Sequence, residues 1–222
     1  MIKDLKRWNA AHPAVRYTAP FIVFLLMTQL QSAASGADLF WLYGLKIGIT
    51  SIVIIFCFSD YTSELQGKAD PAAVICGIAA LAIWIAFGAA ISPDFTVSFD
   101  PLLLNPGIER SLGVAVRIIG AALIVPFVEE VFWRGFLMRY LIADKFQSVT
   151  VGAYTAKSFF LTLLCFMLVH RPFEWPGAIA VGLIYGGYVV KTGNLRGVIV
   201  AHGVTNLGFA IFVLMTGQYW WW

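Results

Sequence analysis

The sequence predicts an all-α fold, a polytopic membrane bundle of seven or eight transmembrane helices with a polar cavity in its C-terminal half. Three observations carry that reading. Of the 222 residues, 60% are hydrophobic and only 12% are charged, with a mean hydropathy of +0.82, far from an ordinary soluble domain. The apolar residues fall into successive runs of membrane-spanning scale, a hydrocarbon core of about 30 Å needing about 20 residues per helix. Finally, polar groups at helical spacing enter the later runs, where ionisable side chains are expensive and mark function by default.

In order, the runs are 19–35, 39–59, 71–91, 112–141, 158–170, 176–190 and 198–216. Lys3, Lys6 and Arg7 ahead of the apolar stretch 21–30 and the small residues of 32–37 imitate a signal peptide. The basic region is long for one, so an uncleaved first helix behind a cytoplasmic leader over 1–18 is expected. The fourth run would reach about 45 Å at roughly 1.5 Å per residue, so it must tilt, kink or split, and splitting would give the eighth span. Pro126 is the expected break, because it lacks an N–H and crowds the carbonyl of Ala122. In the sixth run Ala178, Gly182 and Gly186 set small residues every four positions on one face, which permits close helix contact. The aromatic run 219–222 reads as an interfacial anchor.

Positive charge gathers at alternate connections. Lys3, Lys6, Arg7 and Arg16 precede the first run, and Lys68 follows the second. Arg139, Lys145 and Lys157 flank the link from the fourth to the fifth, and Lys191 and Arg196 separate the last two. The opposite side offers the acidic connection 94–109 with Arg110, and Arg171. Positive-inside bias then places the N-terminus in the cytoplasm and, with seven spans, the C-terminus outside. The formal charge of +3 is small and scattered, which argues against a nucleic-acid partner. Cys57, Cys76 and Cys165 lie in apolar runs without CxxC spacing and read as small buried hydrophobes. The chain is one domain over 1–222, with the chemistry on 112–216. The compact, multi-pass chain fits a prokaryotic inner or plasma membrane.

The polar constellation has three parts. Glu130 and Arg134 are i and i+4 neighbours that can pair at reduced cost. Glu129, about 100° round the helix, is left with no partner in its own segment; a buried salt bridge that only ties helices together is the plainer alternative. His170 closes the fifth run with Phe166 one turn before it, and taken alone would pass for an interfacial histidine. His202 and Asn206 share a face of the seventh run, where either could be packing glue. Together, two of the three histidines, two glutamates, an arginine and an asparagine suit attack by water on a carbonyl. A carboxylate takes the proton, an imidazole orients the water or protonates the leaving group, and an asparagine with the second histidine steadies the oxyanion.

These residues resemble the CPBP intramembrane proteases, a family that includes CAAX prenyl endopeptidases and bacteriocin-processing or immunity proteins. Its signature, EExxxR, then FxxxH, then HxxxN or HxxxD on separate helices, is matched in order by Glu129, Glu130 and Arg134, by Phe166 and His170, and by His202 and Asn206. The resemblance covers roughly 121–212. It implies Glu129 as general base with His170 activating water, His202 and Asn206 as the oxyanion hole, and Glu130 with Arg134 organising the site. It also implies a membrane-associated peptide substrate, lipidated and CAAX-like among the candidates, with membrane lipid as the surrounding partner. Simple seven-span topology sets His170 nearer the far side from Glu129 and His202, so the three meet only if the fifth helix is short or broken, or if the cavity is deep.

No cofactor is required on this reading. Zinc bound by Glu129, His170 and His202 is the alternative; HExxH is absent, and Asn206 is a poor zinc ligand but a good donor to an oxyanion. Two other functions also fit: a non-proteolytic immunity or peptide-binding protein on the same scaffold, and a proton-coupled transporter. Lys46 and Arg117 keep the transporter in view unless they snorkel or pair with a carboxylate.

Overall fold

The computed structural model describes residues 12–68, 70–89 and 99–222. The basic start of the leader and Asp94, at the head of the 94–109 connection, lie outside them. Seven helices carry the fold: α1 (Pro13–Gln31), α2 (Asp38–Cys57), α3 (Pro71–Ala89), α4 (Ile108–Tyr140), α5 (Ala156–Leu168), α6 (Trp175–Thr192) and α7 (Leu195–Thr216). No strand occurs among the described residues. Five of them, α2, α3, α4, α6 and α7, are long and apolar enough to cross a membrane. α1 has the length, but Arg16, Gln29 and Gln31 dilute its apolar character, and α5 is a shorter apolar helix of 13 residues.

Local chemistry sets the ends. Pro13, Pro71 and Pro176 sit in first turns, where a missing N–H costs nothing. At the start of α5 the Thr155 hydroxyl accepts from the Ser158 N–H at 3.0 Å and the Ser158 hydroxyl accepts from the Thr155 N–H at 3.2 Å, a reciprocal cap. Asn194 accepts from the Gly197 N–H at 2.9 Å to open α7. Gly193 closes α6 in the left-handed region, with φ +63°.

α4 departs from expectation in an informative way. It neither splits nor breaks at Pro126 but continues through two wide π turns, Gly120–Ile124 and Val131–Leu137, on either side of the α stretch Val125–Glu130. In the first of these the Val125 N–H bonds to the Gly120 carbonyl, five residues back. One residue on, that register assigns the missing N–H of Pro126 to the carbonyl of Ala121 rather than Ala122. The side-chain amide of Asn206 donates to the Ala121 carbonyl at 2.8 Å. The helix stays whole because a side chain from α7 replaces the bond that proline cannot make.

α1 and α2 form an antiparallel pair, α5 packs on α6, and α7 runs against α3, α4 and α6. The small-residue face of α6 is its contact with α5: a Cβ on Gly182 would fall 2.5 Å from Leu163 Cδ1, and one on Gly186 2.7 Å from Phe159 Cε2. A Cβ on Gly203 would lie 2.8 Å from the Ala122 carbonyl oxygen, so α7 meets the backbone of α4 just where the polar residues gather. The C-terminal aromatic run folds back on the bundle. Trp221 sits against Gly88 and edge-on to Phe209, at 5.2 Å between ring centres. All three cysteines are free, Cys57 buried and the others half-buried. Arg139, expected as a flanking charge, is buried; it donates to Glu64 at 2.5 Å and to the carbonyls of Val149 and Gly135 at 2.8 Å each.

Candidate active site

The unbroken run of α4 past Pro126 aims two adjacent glutamates in different directions. Glu130 is completely buried. The Arg134 guanidinium lies one turn on, with Nη1 3.0 Å from both Glu130 carboxylate oxygens, while Nη2 approaches the Gly182 carbonyl at 3.4 Å. The guanidinium also lies over the Phe166 ring at 5.0 Å, which gives the phenylalanine of the second motif a physical task. On its other side Glu130 Oε1 meets His202 Nδ1 at 2.9 Å. As the anionic partner of Arg134, Glu130 offers only acceptors, so His202 Nδ1 carries a proton and donates it.

His170 stands two residues beyond the end of α5 instead of closing it. Pro172 ends the helical register, and the imidazole turns back to satisfy one of the last carbonyls, with Nδ1 2.7 Å from the Phe166 oxygen. A carbonyl only accepts, so here too Nδ1 is protonated and Nε2 is the ring nitrogen left for chemistry. The His170 carbonyl in turn accepts from Trp175 Nε1 at 3.1 Å.

One cavity of about 160 Å³ is lined by Glu129, His170, His202 and Asn206 together with Trp84 and Tyr185. Glu129 Oε2 is buried there and has no hydrogen-bond partner. His170, just beyond the 13-residue α5, thus shares one cavity with the other residues. The supporting Glu130 and Arg134 stand behind His202, outside the lining. Trp84 and Tyr185 are among the lining residues that were not legible in the sequence. Trp84 packs edge-on to His170 at 5.7 Å. Tyr185 lies 5.2 Å from His202 and donates to the Thr205 hydroxyl at 2.7 Å, and Thr205 passes a bond to the Gly77 carbonyl at 2.8 Å. Tyr185 falls between Gly182 and Gly186, which was the one available hint; Trp84 left none.

A zinc site would need Glu129, His170 and His202 to converge on one point. Among the described residues, no three His, Cys, Asp or Glu side chains form a group that could hold a metal ion. No step below passes through a metal.

Residues 111–208 match the family model described as "Type II CAAX prenyl endopeptidase Rce1-like". No curated protein and no solved structure matches the chain. The matched stretch contains Glu129, Glu130, Arg134, Phe166, His170, His202 and Asn206. Over residues 111–208, a little under half of its length, the chain is similar to the CPBP/CAAX family of proteases.

Proposed function

We propose that the protein is an intramembrane endopeptidase in which Glu129 and His170 activate a water and His202 with Asn206 receives the oxyanion. α1 and α5 join the five long helices to make seven passes, with α4 crossing once. One observation carries the reading: a buried, unpartnered carboxylate oxygen of Glu129 faces the same cavity as both imidazoles and the asparagine.

The charges suggest the resting state. Glu130 and Arg134 cancel, so the cluster is neutral overall when Glu129 is ionised and His202 is an imidazolium. In that form His202 holds Nδ1–H on Glu130 and turns Nε2–H toward the cavity. Asn206 spends one amide hydrogen on the Ala121 carbonyl and keeps the other. A water hydrogen-bonded to His170 Nε2 loses its proton to Glu129 and attacks the scissile carbonyl. The new oxyanion is held by His202 and Asn206. As the C–N bond breaks, Glu129 returns the proton to the departing amine. The substrate is a membrane-delivered peptide, with a lipidated, CAAX-like one as the first to try.

Mass spectrometry of membrane peptides from cells carrying the intact protein and the Glu129→Gln protein tests this. Cleavage should fall by about 10²- to 10⁴-fold, as for loss of a general base, at unchanged thermal stability. Full biological activity in the variant would select a non-proteolytic binding role. Stoichiometric zinc in active protein, lost along with activity on chelation, would overturn the metal-free scheme.

A further inference from the structure

A second cavity, of about 390 Å³, lies among the C-terminal turns of α1, the N-terminal halves of α2 and α4, and the C-terminal aromatic run. Three cations line it, and two of them, Lys46 and Arg117, do not behave as a membrane-embedded cation usually does. Lys46 is only 4% exposed, so it does not snorkel. Its ammonium donates to Gln31 Oε1 at 2.7 Å and to the Thr28 hydroxyl at 3.3 Å, which leaves one of its three protons unspent. Gln31 is locked in that orientation because its amide nitrogen donates to the Leu39 carbonyl at 3.2 Å.

Arg117 is the more telling group. Its guanidinium lies over the rings of Tyr43, Phe99 and Trp222 at 4.7, 4.9 and 5.6 Å, and its buried Nε has no hydrogen-bond partner. Among the described residues neither Lys46 nor Arg117 pairs with a carboxylate. Arg171, which also lines the cavity, is engaged with Glu174 at 2.6 Å. Two uncompensated cations sharing one aromatic wall repel each other and are costly at this depth unless an anion joins them.

We propose that this cavity binds the phosphate of an anionic phospholipid, gripped by the fork of Arg117 and the spare proton of Lys46. A planar guanidinium with free donors suits phosphate oxygens, and aromatic rings suit the boundary between headgroup and chain. The entrance is on the lipid-facing side, where Thr28 and Ser32 of the lining are exposed. Leu25, one turn before Thr28 on the same face of α1, is exposed and apolar, as the top of an acyl chain requires.

The full chain reconstituted in phosphatidylcholine vesicles gives the test, using tryptophan quenching by phosphatidylglycerol or phosphatidylcholine brominated near the glycerol end of the chain. Phosphatidylglycerol should quench more strongly at equal mole fraction. That excess should vanish in Arg117→Gln and in Lys46→Gln and survive in part in Arg117→Lys, which keeps the charge but loses the fork. Equal quenching by the two lipids, or an undiminished excess in both glutamine variants, overturns the proposal. Abolition of the excess by millimolar inorganic phosphate would identify a free-phosphate site and overturn the lipid assignment. Retention by the intact protein of phosphatidylglycerol over phosphatidylcholine in native mass spectrometry supports it without any variant; equal retention opposes it.

Discussion

Two of the groups of charged side chains inside this bundle balance their charge in opposite ways. Around α4 and α7, Glu130 is matched by Arg134 at 3.0 Å and by His202 at 2.9 Å, so the protein supplies both signs itself. Around α1, α2 and α4, Lys46 and Arg117 meet only neutral oxygens and aromatic faces. The first group is complete without a ligand and fixes the His202 ring with Nδ1 on Glu130. The second lacks its counter-charge, and that incompleteness is what points to something bound. The same residue types thus serve as internal scaffold in one place and as an open receptor in the other.

Breaking the matched group should have the largest effect. Arg134→Met leaves Glu130 buried without its guanidinium, and loss of one partner of a buried pair costs about 3–5 kcal/mol; chemical unfolding in detergent should show it as a marked fall in the midpoint. Asn206→Ala should come next. It removes an oxyanion donor and strands the Ala121 carbonyl, so kcat for peptide cleavage should drop by about 10²- to 10³-fold, with a smaller loss of stability, about 1–3 kcal/mol. The smallest effect is expected at the unmatched group. In pure phosphatidylcholine, Lys46→Met should change stability by less than about 1 kcal/mol or raise it, since a lone buried charge gives way to an apolar side chain of similar length. A loss as large as that of Arg134→Met would show Lys46 to be internally compensated and erase the contrast.

Much of the site was legible in the sequence because charge in an apolar helix has no cheap explanation. Glu129, Glu130 and Arg134, then His170, then His202 and Asn206, stand out by cost alone, and their helical spacing sorts them into motifs. What was hidden depended on backbone register or on distant contacts. Pro126 announced a freed carbonyl, but the π turn before it moved that carbonyl from Ala122 to Ala121, and no side-chain pattern marks a π turn. His170 reads as the last residue of a helix, whereas the structure uses it to cap one. Lys46 and Arg117 were visible one at a time; the cavity they share is assembled from α1, α2, α4 and the aromatic run, and only the folded chain brings those segments together.

The shortness of α5 has a consequence for the supply of the second reactant. Thirteen helical residues cover about 20 Å, well short of a hydrocarbon layer of about 30 Å. With α5 as one of the proposed seven passes, either the bilayer thins beside it or solvent follows the chain inward. The residue at the foot of that shortfall is His170, with the exposed Arg171–Glu174 pair immediately after it. On the proposed function, a hydrated notch at this edge would let bulk water reach His170 while a peptide substrate enters from the lipid.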